Sequence, residues 1–289
     1  MEKRITGTTG LLGLIGSPVG HSGSPAMYNY GFQKLGLDYA YLAFDISVEK
    51  VPDAIHAIKT FQMRGCNVTM PCKNEVVKYM DELSPAARII GAVNTIVDDN
   101  GKLTGYNTDG LGFVRNLKEN GITIKGKKIT VIGAGGAATA IQVQCALDGA
   151  KEISIFNAKD QFFTRAEQTI EKIKKEVPDC IVHIYDLEDT QKLKEEISTS
   201  DIFSNATLIG MKPNENASVI KDTSMFKKGL VVTDAVYNPK ETKLLKEAKE
   251  AGCICFDGTG MLLWQGAEAF KLYTGLEMPA EEIKQLFFS

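Results

Sequence analysis

The stretch that decides the fold is Ile129-Thr130-Val131-Ile132-Gly133-Ala134-Gly135-Gly136-Ala137-Ala138. An apolar strand runs directly into a glycine-rich turn, and a helical pattern follows. This is the G-x-G-x-x-A form of the dinucleotide-binding fingerprint in its strand–turn–helix context. The glycines let the backbone approach a pyrophosphate, and N–H groups at the helix N-terminus receive its charge. The predicted cofactor contacts in this loop are Gly133, Ala134, Gly135, Gly136 and Ala137.

Downstream of this loop, strand and helix patterns alternate. Strands are predicted at residues 128–132, 152–156, 181–185, 202–204, 230–234 and 253–256, and helices at 137–147, 162–176, 191–197 and 243–251. Strands that alternate with helices form a parallel sheet covered on both faces. The last two predicted helices, 261–273 and 280–287, have no strand beside them and are expected to pack on the first half of the chain.

The first half of the chain predicts a mixed α/β region. Its patterns indicate strands at residues 11–15, 39–44, 66–68 and 92–97, and helices at 24–35, 54–63, 74–80 and 86–90. Asp98-Asp99-Asn100-Gly101 has the composition of a hairpin turn.

Composition and charge exclude several classes of protein. The 289 residues suffice for two domains, and 44% hydrophobic with 24% charged residues is typical of a soluble globular chain. The net charge of −3, with both signs mixed along the chain, argues against nucleic-acid or membrane partners that need a basic face. Met1-Glu2-Lys3-Arg4 leads into no signal-peptide core, so we expect a cytoplasmic protein.

The six cysteines form no spaced framework, and the chain has only three histidines. Cys253-Ile254-Cys255 could place two sulfurs on one face of a strand, as metal ligands or as packed thiols. We predict packed thiols and no metal site.

Cofactor choice is expected to depend on the end of the second strand, Asn157-Ala158-Lys159-Asp160. An NADP site favours an arginine, because a guanidinium contacts phosphate with two hydrogen bonds. Here Ala158 occupies the expected clamp position. Asp160 could accept a hydrogen bond from a ribose hydroxyl, which favours NAD, or could simply cap the following helix. Lys159 keeps NADP possible.

Three polar stretches in the first half suit a small polyhydroxylated acid. Ser22 and Ser24 stand at a predicted helix N-terminus, where two neutral donors suit a carboxylate, although Ser24 could act only as the N-cap. The stretch Asn67-Val68-Thr69-Met70-Pro71-Cys72-Lys73 carries three polar side chains past a strand end. Lys73 at a helix start opposes the helix dipole, which suggests another role. Asn94 follows a short apolar run in the same manner.

The stretch Gly105-Tyr106-Asn107-Thr108-Asp109-Gly110 separates the two halves of the chain. Thr108 or Asp109 can cap a helix that starts near Leu111. An alcohol loses a hydride only if its proton also leaves, and Lys73 with Asp109 could supply the acid–base group. Free lysine is protonated near neutral pH. Lys73 therefore either loses its charge through desolvation or acts as an ammonium that donates a proton in carbonyl reduction.

Together these stretches resemble the shikimate dehydrogenase family, and more closely its quinate/shikimate dehydrogenase branch. The resemblance covers nearly the whole chain and is specific in combination. It rests on the following motifs: His21-Ser22-x-Ser24-Pro25, Asn67-Val68-Thr69-x-Pro71-x-Lys73, Gly91-Ala92-Val93-Asn94-Thr95, the 105–110 and 133–137 stretches, Val236-Tyr237-Asn238-Pro239, and Asp257-Gly258 through Gly260-Met261-Leu262-x-Trp264-Gln265-Gly266-Ala267.

The resemblance implies a residue set and an architecture. Lys73 and Asp109 would be the catalytic pair. The implied substrate-binding residues are Ser22, Ser24, Thr69, Lys73, Asn94, Asp109, Tyr237 and Gln265. Beyond the glycine loop, the cofactor residues would be Asn157, Lys159, Asp160, Ala235, Val236, Tyr237, Asn238 and Gly258. The implied fold is α/β. Residues 1–109 and 260–289 would form a substrate domain, to which the C-terminal helices return, and residues 110–259 a Rossmann-type doubly wound parallel-sheet cofactor domain.

The expected activity is hydride transfer between shikimate and 3-dehydroshikimate in chorismate and aromatic amino acid biosynthesis, with quinate as a second candidate substrate. Ala158 replaces an arginine of the branch, and Leu208 replaces a lysine of a related enzyme. Both changes remove positive charge, so NAD is favoured and NADP remains possible.

Two other functions fit the sequence less well. A methylenetetrahydrofolate dehydrogenase shares the two-domain plan, but its folate site needs no set of side chains for a carboxylate and hydroxyls. A non-catalytic sensor of quinate or shikimate would need the binding residues but not Lys73 with Asp109. The sequence leaves a monomer or a homodimer open.

Overall fold

The computed structural model describes residues 5–288. Residues 1–4, on which the expectation of no signal peptide rests, lie outside the described part. The chain divides into two compact units. The first contains residues up to Thr108 together with those from Leu263, and the second is Asp109–Leu262. Within the described range, no helix is both long and apolar enough to cross a membrane.

Residues 5–288 contain two six-stranded sheets. The strands are β1 (Gly10–Gly16), β2 (Tyr39–Asp45), β3 (Gly65–Val68), β4 (Glu82–Leu83), β5 (Thr95–Asp99), β6 (Lys102–Tyr106), β7 (Lys128–Ile132), β8 (Glu152–Asn157), β9 (Ile181–Asp186), β10 (Ile202–Asn205), β11 (Val231–Asp234) and β12 (Ile254–Phe256). The first sheet has the order β2-β1-β3-β5-β6-β4 and is mixed, because β5 runs antiparallel to β3 and β6. The second has the order β12-β11-β10-β7-β8-β9 and is parallel throughout. The predicted α/β class with a doubly wound parallel sheet is confirmed.

The helices follow the predicted alternation closely in the second unit. They are α1 (Ser24–Leu35), α2 (Val51–Thr60), α3 (Pro85–Ile90), α4 (Asp109–Glu119), α5 (Gly136–Leu147), α6 (Gln161–Glu176), α7 (Thr190–Thr199), α8 (Lys243–Glu250), α9 (Gly258–Thr274) and α10 (Ala280–Phe287). The helix predicted at 74–80 is wrong. That segment forms one 3-10 turn, Val76–Tyr79. The chain does not continue as a helix, because the amide of Asp81 donates to the carbonyl of Leu103 on β6.

The first sheet is covered on both faces. One core contains α1 together with α9 and α10, and its centre is aromatic: Tyr28 stacks on Tyr41 with 4.4 Å between ring centroids, and Phe32 stacks on Phe270 at 5.3 Å. The other core contains buried apolar residues of α2 packed on β1 and β3. The last two helices thus cover one face of the sheet that contains the first strand, and they need no strand beside them in the sequence.

In the second unit, α5 is buried along most of its length beside β7. Helix α4 packs on α5 through a glycine contact. A Cβ on Gly110 would collide with the carbonyl oxygen of Ala140 and with Gln144. The helix that starts at Asp109 is therefore seated against the helix that follows the glycine-rich loop.

A buried ion network joins α7 to the starts of β7 and β8. The two carboxylate oxygens of Glu196 lie 2.7 Å from Lys128 Nζ and 2.6 Å from Lys192 Nζ, and Ser154 Oγ donates to the same carboxylate at 2.7 Å. The Glu196 side chain is only 7% exposed. Burial alone would raise the pKa of Glu196, but the hydrogen bonds from Lys128, Lys192 and Ser154 outweigh it and lower the pKa to about 2.

We predict that Glu196→Gln lowers the free energy of unfolding by about 2 kcal/mol at pH 7, because it removes the charged acceptor of Lys128, Lys192 and Ser154 and leaves Lys128 paired with Glu152 alone. A lowered folded-state pKa stabilises the protein above the ordinary value of 4.5, and this contribution is lost as pH falls towards 2. The difference between variant and parent should therefore shrink below about pH 4 in denaturant titrations. Glu195→Gln is the matched control: its side chain is 55% exposed and 3.8 Å from Lys192, so less than about 1 kcal/mol is expected. Equal losses in the two variants would contradict this account.

Candidate active site

Four polar segments converge at one edge of the first sheet. Ile15 pairs with Val68, Asn67 with Thr95, and Thr95 with Tyr106. The ends of β1, β3 and β6 and the start of β5 therefore meet. The segments that leave this edge carry Ser22 and Ser24 after β1, Thr69 and Lys73 after β3, Asn94 before β5, and Asn107 to Asp109 after β6.

Asn94 ties three of these segments together. Its carbonyl oxygen accepts from Val68 N at 2.8 Å, and its own N–H donates to the carbonyl of Tyr106 at 3.0 Å. Its side-chain Oδ1 accepts from Thr108 N at 2.8 Å and from Thr95 Oγ1 at 2.9 Å. The residue is 3% exposed. Asn94 thus positions the site whatever else it binds.

The network continues behind Asn94 through Asn67, which the sequence analysis singled out, and through Thr95 and Tyr41, to which it assigned no role. Asn67 Nδ2 donates to Thr95 Oγ1 at 3.1 Å, and Asn67 Oδ1 accepts from Tyr41 Oη at 2.8 Å. Thr95 and Tyr41 are fully buried. Thr95 is the first residue of β5, directly after Asn94, and this position beside a candidate site residue is the signal that could have found it. Nothing local marks Tyr41, because it looks like an ordinary strand aromatic.

The Ser22–Ser24 turn differs from its prediction in one respect. The N-cap of α1 is Gly23, not Ser24, and it makes no side-chain capping bond. Ser22 Oγ instead accepts from Ser24 N at 3.2 Å. Ser24 is therefore the first helical residue, followed by Pro25, and capping does not account for its hydroxyl. Both serines are half-buried.

Lys73 lies in a turn that a glycine holds close to β1. Thr69 N donates to the carbonyl of Ile15 at 2.9 Å, and Ser17 N donates to the carbonyl of Met70 at 3.0 Å. Gly16 has a φ of 150°, and a Cβ there would meet Thr69 and the Met70 carbonyl. Lys73 itself is half-buried, and its carbonyl accepts from Val93 N at 2.8 Å. Because no α-helix follows, the argument from helix polarity for Lys73 does not hold.

Asp109 is the first residue of α4 and is half-buried. The two residues before it are almost fully buried: Asn107 Nδ2 donates to the carbonyl of Ala92 at 3.1 Å, and Thr108 is bound to Asn94. The two residues that precede Asp109 are therefore held in place on the first sheet.

Gln265 and Tyr237 differ in their surroundings. Gln265 is half-buried in α9, next to Gly266, whose carbonyl accepts from Tyr28 Oη at 3.0 Å. Tyr237 is 50% exposed in the segment after β11.

The glycine-rich loop has room for a pyrophosphate. Gly133 has a φ of 117°, and a Cβ there would lie 2.9 Å from the carbonyl oxygen of Ala206. Gly135 is the N-cap of α5 with a φ of −73°, and nothing lies within 4 Å of a Cβ built on Gly135 or Gly136. Gly133 is thus needed by the fold, whereas the space above Gly135 is left open at a helix N-terminus. These residues fit a dinucleotide.

The end of β8 uses Asp160 for local structure. Its Oδ1 accepts from Phe162 N at 2.8 Å, as the N-cap of α6, and from Asn157 Nδ2 at 3.0 Å. The capping interpretation of Asp160 is therefore confirmed. Lys159 Nζ lies 3.3 Å from Asp186 Oδ2, and Ala158 is exposed.

The ends of β10 and β11 carry a second buried network that the sequence did not reveal. Asp234, 2% exposed, accepts from Asn205 Nδ2 at 2.9 Å, from Val236 N at 3.0 Å and from Thr242 Oγ1 at 2.7 Å. Burial raises the pKa of Asp234 to about 6. Asn205 pairs in register with Ile132, so this network lies beside the glycine loop, where the strand order reverses. It holds the Ala235–Asn238 segment, and Gly258 contacts that segment so closely that a Cβ would strike Ala235.

Comparison with known proteins decides the family. Residues 14–96 match the shikimate dehydrogenase substrate binding domain, and residues 258–286 match the shikimate 5'-dehydrogenase C-terminal domain. A shikimate dehydrogenase (NADP(+)) of Listeria monocytogenes serotype 4b (strain F2365) is 52% identical over 288 residues, which cover 100% of this chain and 99% of that protein. The chain belongs to the shikimate dehydrogenase family.

Two further comparisons refine the family. A quinate/shikimate dehydrogenase of Escherichia coli O17:K52:H18 (strain UMN026 / ExPEC) is 48% identical over 282 residues, covering 98% of each chain. A crystal structure of shikimate 5-dehydrogenase from Listeria monocytogenes in complex with shikimate and NAD has a TM-score of 0.97 and 51% identity, and covers 100% of this chain and 99% of that chain. As a member of the shikimate dehydrogenase family, this chain is an NAD(P)-dependent oxidoreductase. In the part that the structure describes, no group of histidine, cysteine, aspartate or glutamate side chains could hold a metal ion.

For this shikimate dehydrogenase family member, we predict that Gly135→Ala leaves the fold intact but weakens NAD+ binding at least tenfold. The added methyl meets no protein atom within 4 Å, yet it fills the space through which backbone approaches the pyrophosphate. Thermal unfolding and calorimetric titration with NAD+ measure the two effects. Gly133→Ala is the contrasting variant, because its positive φ and its contact with Ala206 should lower the melting temperature. Unchanged NAD+ affinity in Gly135→Ala would contradict the cofactor assignment.

Proposed function

We propose that this chain catalyses the reversible, NAD(P)-dependent interconversion of shikimate and 3-dehydroshikimate, a step of chorismate and aromatic amino acid biosynthesis. Quinate is a second candidate substrate, as the name of the E. coli relative suggests. The observation that carries the proposal is the pairing register that brings Ser22, Thr69, Lys73 and Asn94 to one sheet edge.

The chemistry of these side chains matches a polyhydroxylated acid. Ser22 and Ser24 would hold the carboxylate, because both hydroxyls can donate a hydrogen bond at the positive end of helix α1. Thr69 and Asn94 would hold ring hydroxyls, since each side chain can donate and accept. Tyr237 and Gln265 would complete the binding set.

Proton transfer is assigned to Lys73. When the substrate is oxidised, the hydroxyl proton would pass to Lys73 Nζ, and in the reverse direction Nζ would return it to the carbonyl oxygen. Asp109 would hold and orient the lysine. The nicotinamide cofactor, when bound, supplies the hydride acceptor or donor. The glycine loop and the Asp234 network would bind and orient it.

NAD is the proposed preferred cofactor. Ala158 offers no guanidinium to a 2′-phosphate, and Leu208, 74% exposed, offers no charge. The Listeria relatives are consistent with either cofactor, since one is named for NADP(+) and a crystal structure contains NAD. NADP is therefore expected to be used with lower efficiency.

The test is a set of initial rates with shikimate or quinate, each paired with NAD+ or NADP+. We expect the highest kcat/KM with shikimate and NAD+. A higher kcat/KM with NADP+ would overturn the proposed cofactor preference and leave the reaction intact. Binding of shikimate without turnover in any pairing would overturn the catalytic function.

We predict that Lys73→Ala lowers kcat by about two to four orders of magnitude while NAD+ affinity stays unchanged, as expected when an acid–base group is removed. Steady-state rates and calorimetric titration give the two values. Lys78→Ala is the matched control, since Lys78 is exposed and paired with Glu75 in the neighbouring 3-10 turn. A fall of less than tenfold in Lys73→Ala would show that another group transfers the proton.

A further inference from the structure

The carboxylate of Asp186 lies beside the end of β8. Asp186 is the last residue of β9 and pairs in register with Asn157, the last residue of β8. Leu187 N donates to the carbonyl of Asn157 at 3.0 Å, so the two chains stay together beyond the strands. In Rossmann-type folds the end of the second strand contacts the ribose 2′-hydroxyl of the cofactor. Asp186 therefore borders the space that the 2′-phosphate of NADP would need.

Two contacts fix this carboxylate. Oδ1 accepts from Glu188 N at 3.0 Å, and Oδ2 lies 3.3 Å from Lys159 Nζ. The Asp186 side chain is 23% exposed and the Lys159 side chain 72%. The backbone hydrogen bond from Glu188 and the neighbouring Lys159 lower the pKa of Asp186. The carboxylate of Asp186 therefore holds the exposed Lys159 ammonium beside β9.

The charges at this strand end disfavour a phosphate. Asp160 accepts hydrogen bonds from Phe162 N and Asn157 Nδ2, so its side chain is held in place. Lys159, Asp160 and Asp186 sum to +1 − 1 − 1 = −1. A phosphate monoester carries about −1.5 to −2 near neutral pH, whereas a ribose hydroxyl is uncharged. The same surroundings therefore repel NADP and tolerate NAD.

We propose that Asp186 is a specificity-determining residue that disfavours NADP, both by pairing with Lys159 and by presenting its own charge to the 2′-phosphate. The inference rests on the proposed nicotinamide-dependent function and concerns cofactor choice alone. Cofactor selection would then depend on a residue of β9 as well as on the residues at the end of β8.

The decisive variant is Asp186→Asn, because an asparagine oxygen can still accept from Glu188 N while the charge is removed. Calorimetric titration of the full chain should show NADP+ binding about fivefold to tenfold tighter, since one repulsive charge is lost and Lys159 is released. The Kd of NAD+ should change less than about twofold, because the ribose hydroxyl is uncharged. Adding Lys159→Ala to this variant should cancel most of the gain.

Asp222→Asn is the matched control. Asp222 Oδ1 accepts from Ser224 N at 3.0 Å, and Oδ2 lies 3.3 Å from Lys194 Nζ, which repeats the geometry of Asp186. It is the N-cap of the 3-10 turn Thr223–Met225, which precedes the amino end of β11, whereas Asp186 stands at the carboxyl end of β9. This variant should leave the Kd of both cofactors unchanged.

A salt series separates charge from shape. The difference in NADP+ affinity between Asp186→Asn and the parent should shrink between about 0.01 M and about 1 M salt, where the Debye length falls from roughly 30 Å to 3 Å. Unchanged NADP+ affinity in Asp186→Asn, or an equal gain in Asp222→Asn, would overturn the proposal. A gain that persists in full with Lys159→Ala would overturn the role of Lys159. Binding is measured without turnover, so a chain that binds cofactors but oxidises no shikimate would overturn only the proposed reaction.

Discussion

The hydrogen bonds of Asn94 are the constraint on which the candidate site depends. Through its backbone and its side chain, one buried residue joins the end of β3, the end of β6 and the first turn towards α4. An asparagine can do this because its side chain offers both an acceptor and a donor, so neither Thr108 N nor Thr108 Oγ1 is buried without a partner. A residue that only donated or only accepted would leave buried polar groups of Thr108 unsatisfied.

The second unit uses backbone geometry where the first uses side-chain hydrogen bonds. Gly133 allows β7 to end against Ala206, and Gly110 allows α4 to lie against α5. These contacts place the N-terminus of α5 at the point where the strand order reverses, which is where open α/β sheets bind ligands. The polar groups there are bound mainly by neutral donors, as at Asp234, so the surroundings are shaped without a strong positive charge.

The sequence predicted the second unit better than the first for a physical reason. Parallel strands buried on both faces are nearly continuous apolar runs, and the helices between them are periodic, so β7 and α5 were predicted within a residue of their bounds. The 3-10 turn at Val76–Tyr79 and the shift of β5 to Thr95–Asp99 depend on long-range hydrogen bonds, which leave no local pattern. The same holds for the site. Asn94 could be predicted from its motif, whereas Tyr41 and the Asp234 network depend on hydrogen bonds between residues that are distant in the sequence.

The two ends of β7 show how this fold separates stability from function. At its start, Lys128 is paired with both Glu152 and Glu196, so opposite charges compensate one another in a buried network. At its end, the chain passes through Gly133, which packs against Ala206, to Gly135 and Gly136, whose Cβ positions are open at the N-terminus of α5. The first N–H groups of a helix have no partner within the helix and can bind an anion. A charge that is already compensated has little attraction left for a ligand, whereas an open helix terminus gains most when an anion arrives. The carboxyl ends of the strands can therefore bind an anion, whereas the charges at their amino ends already compensate one another.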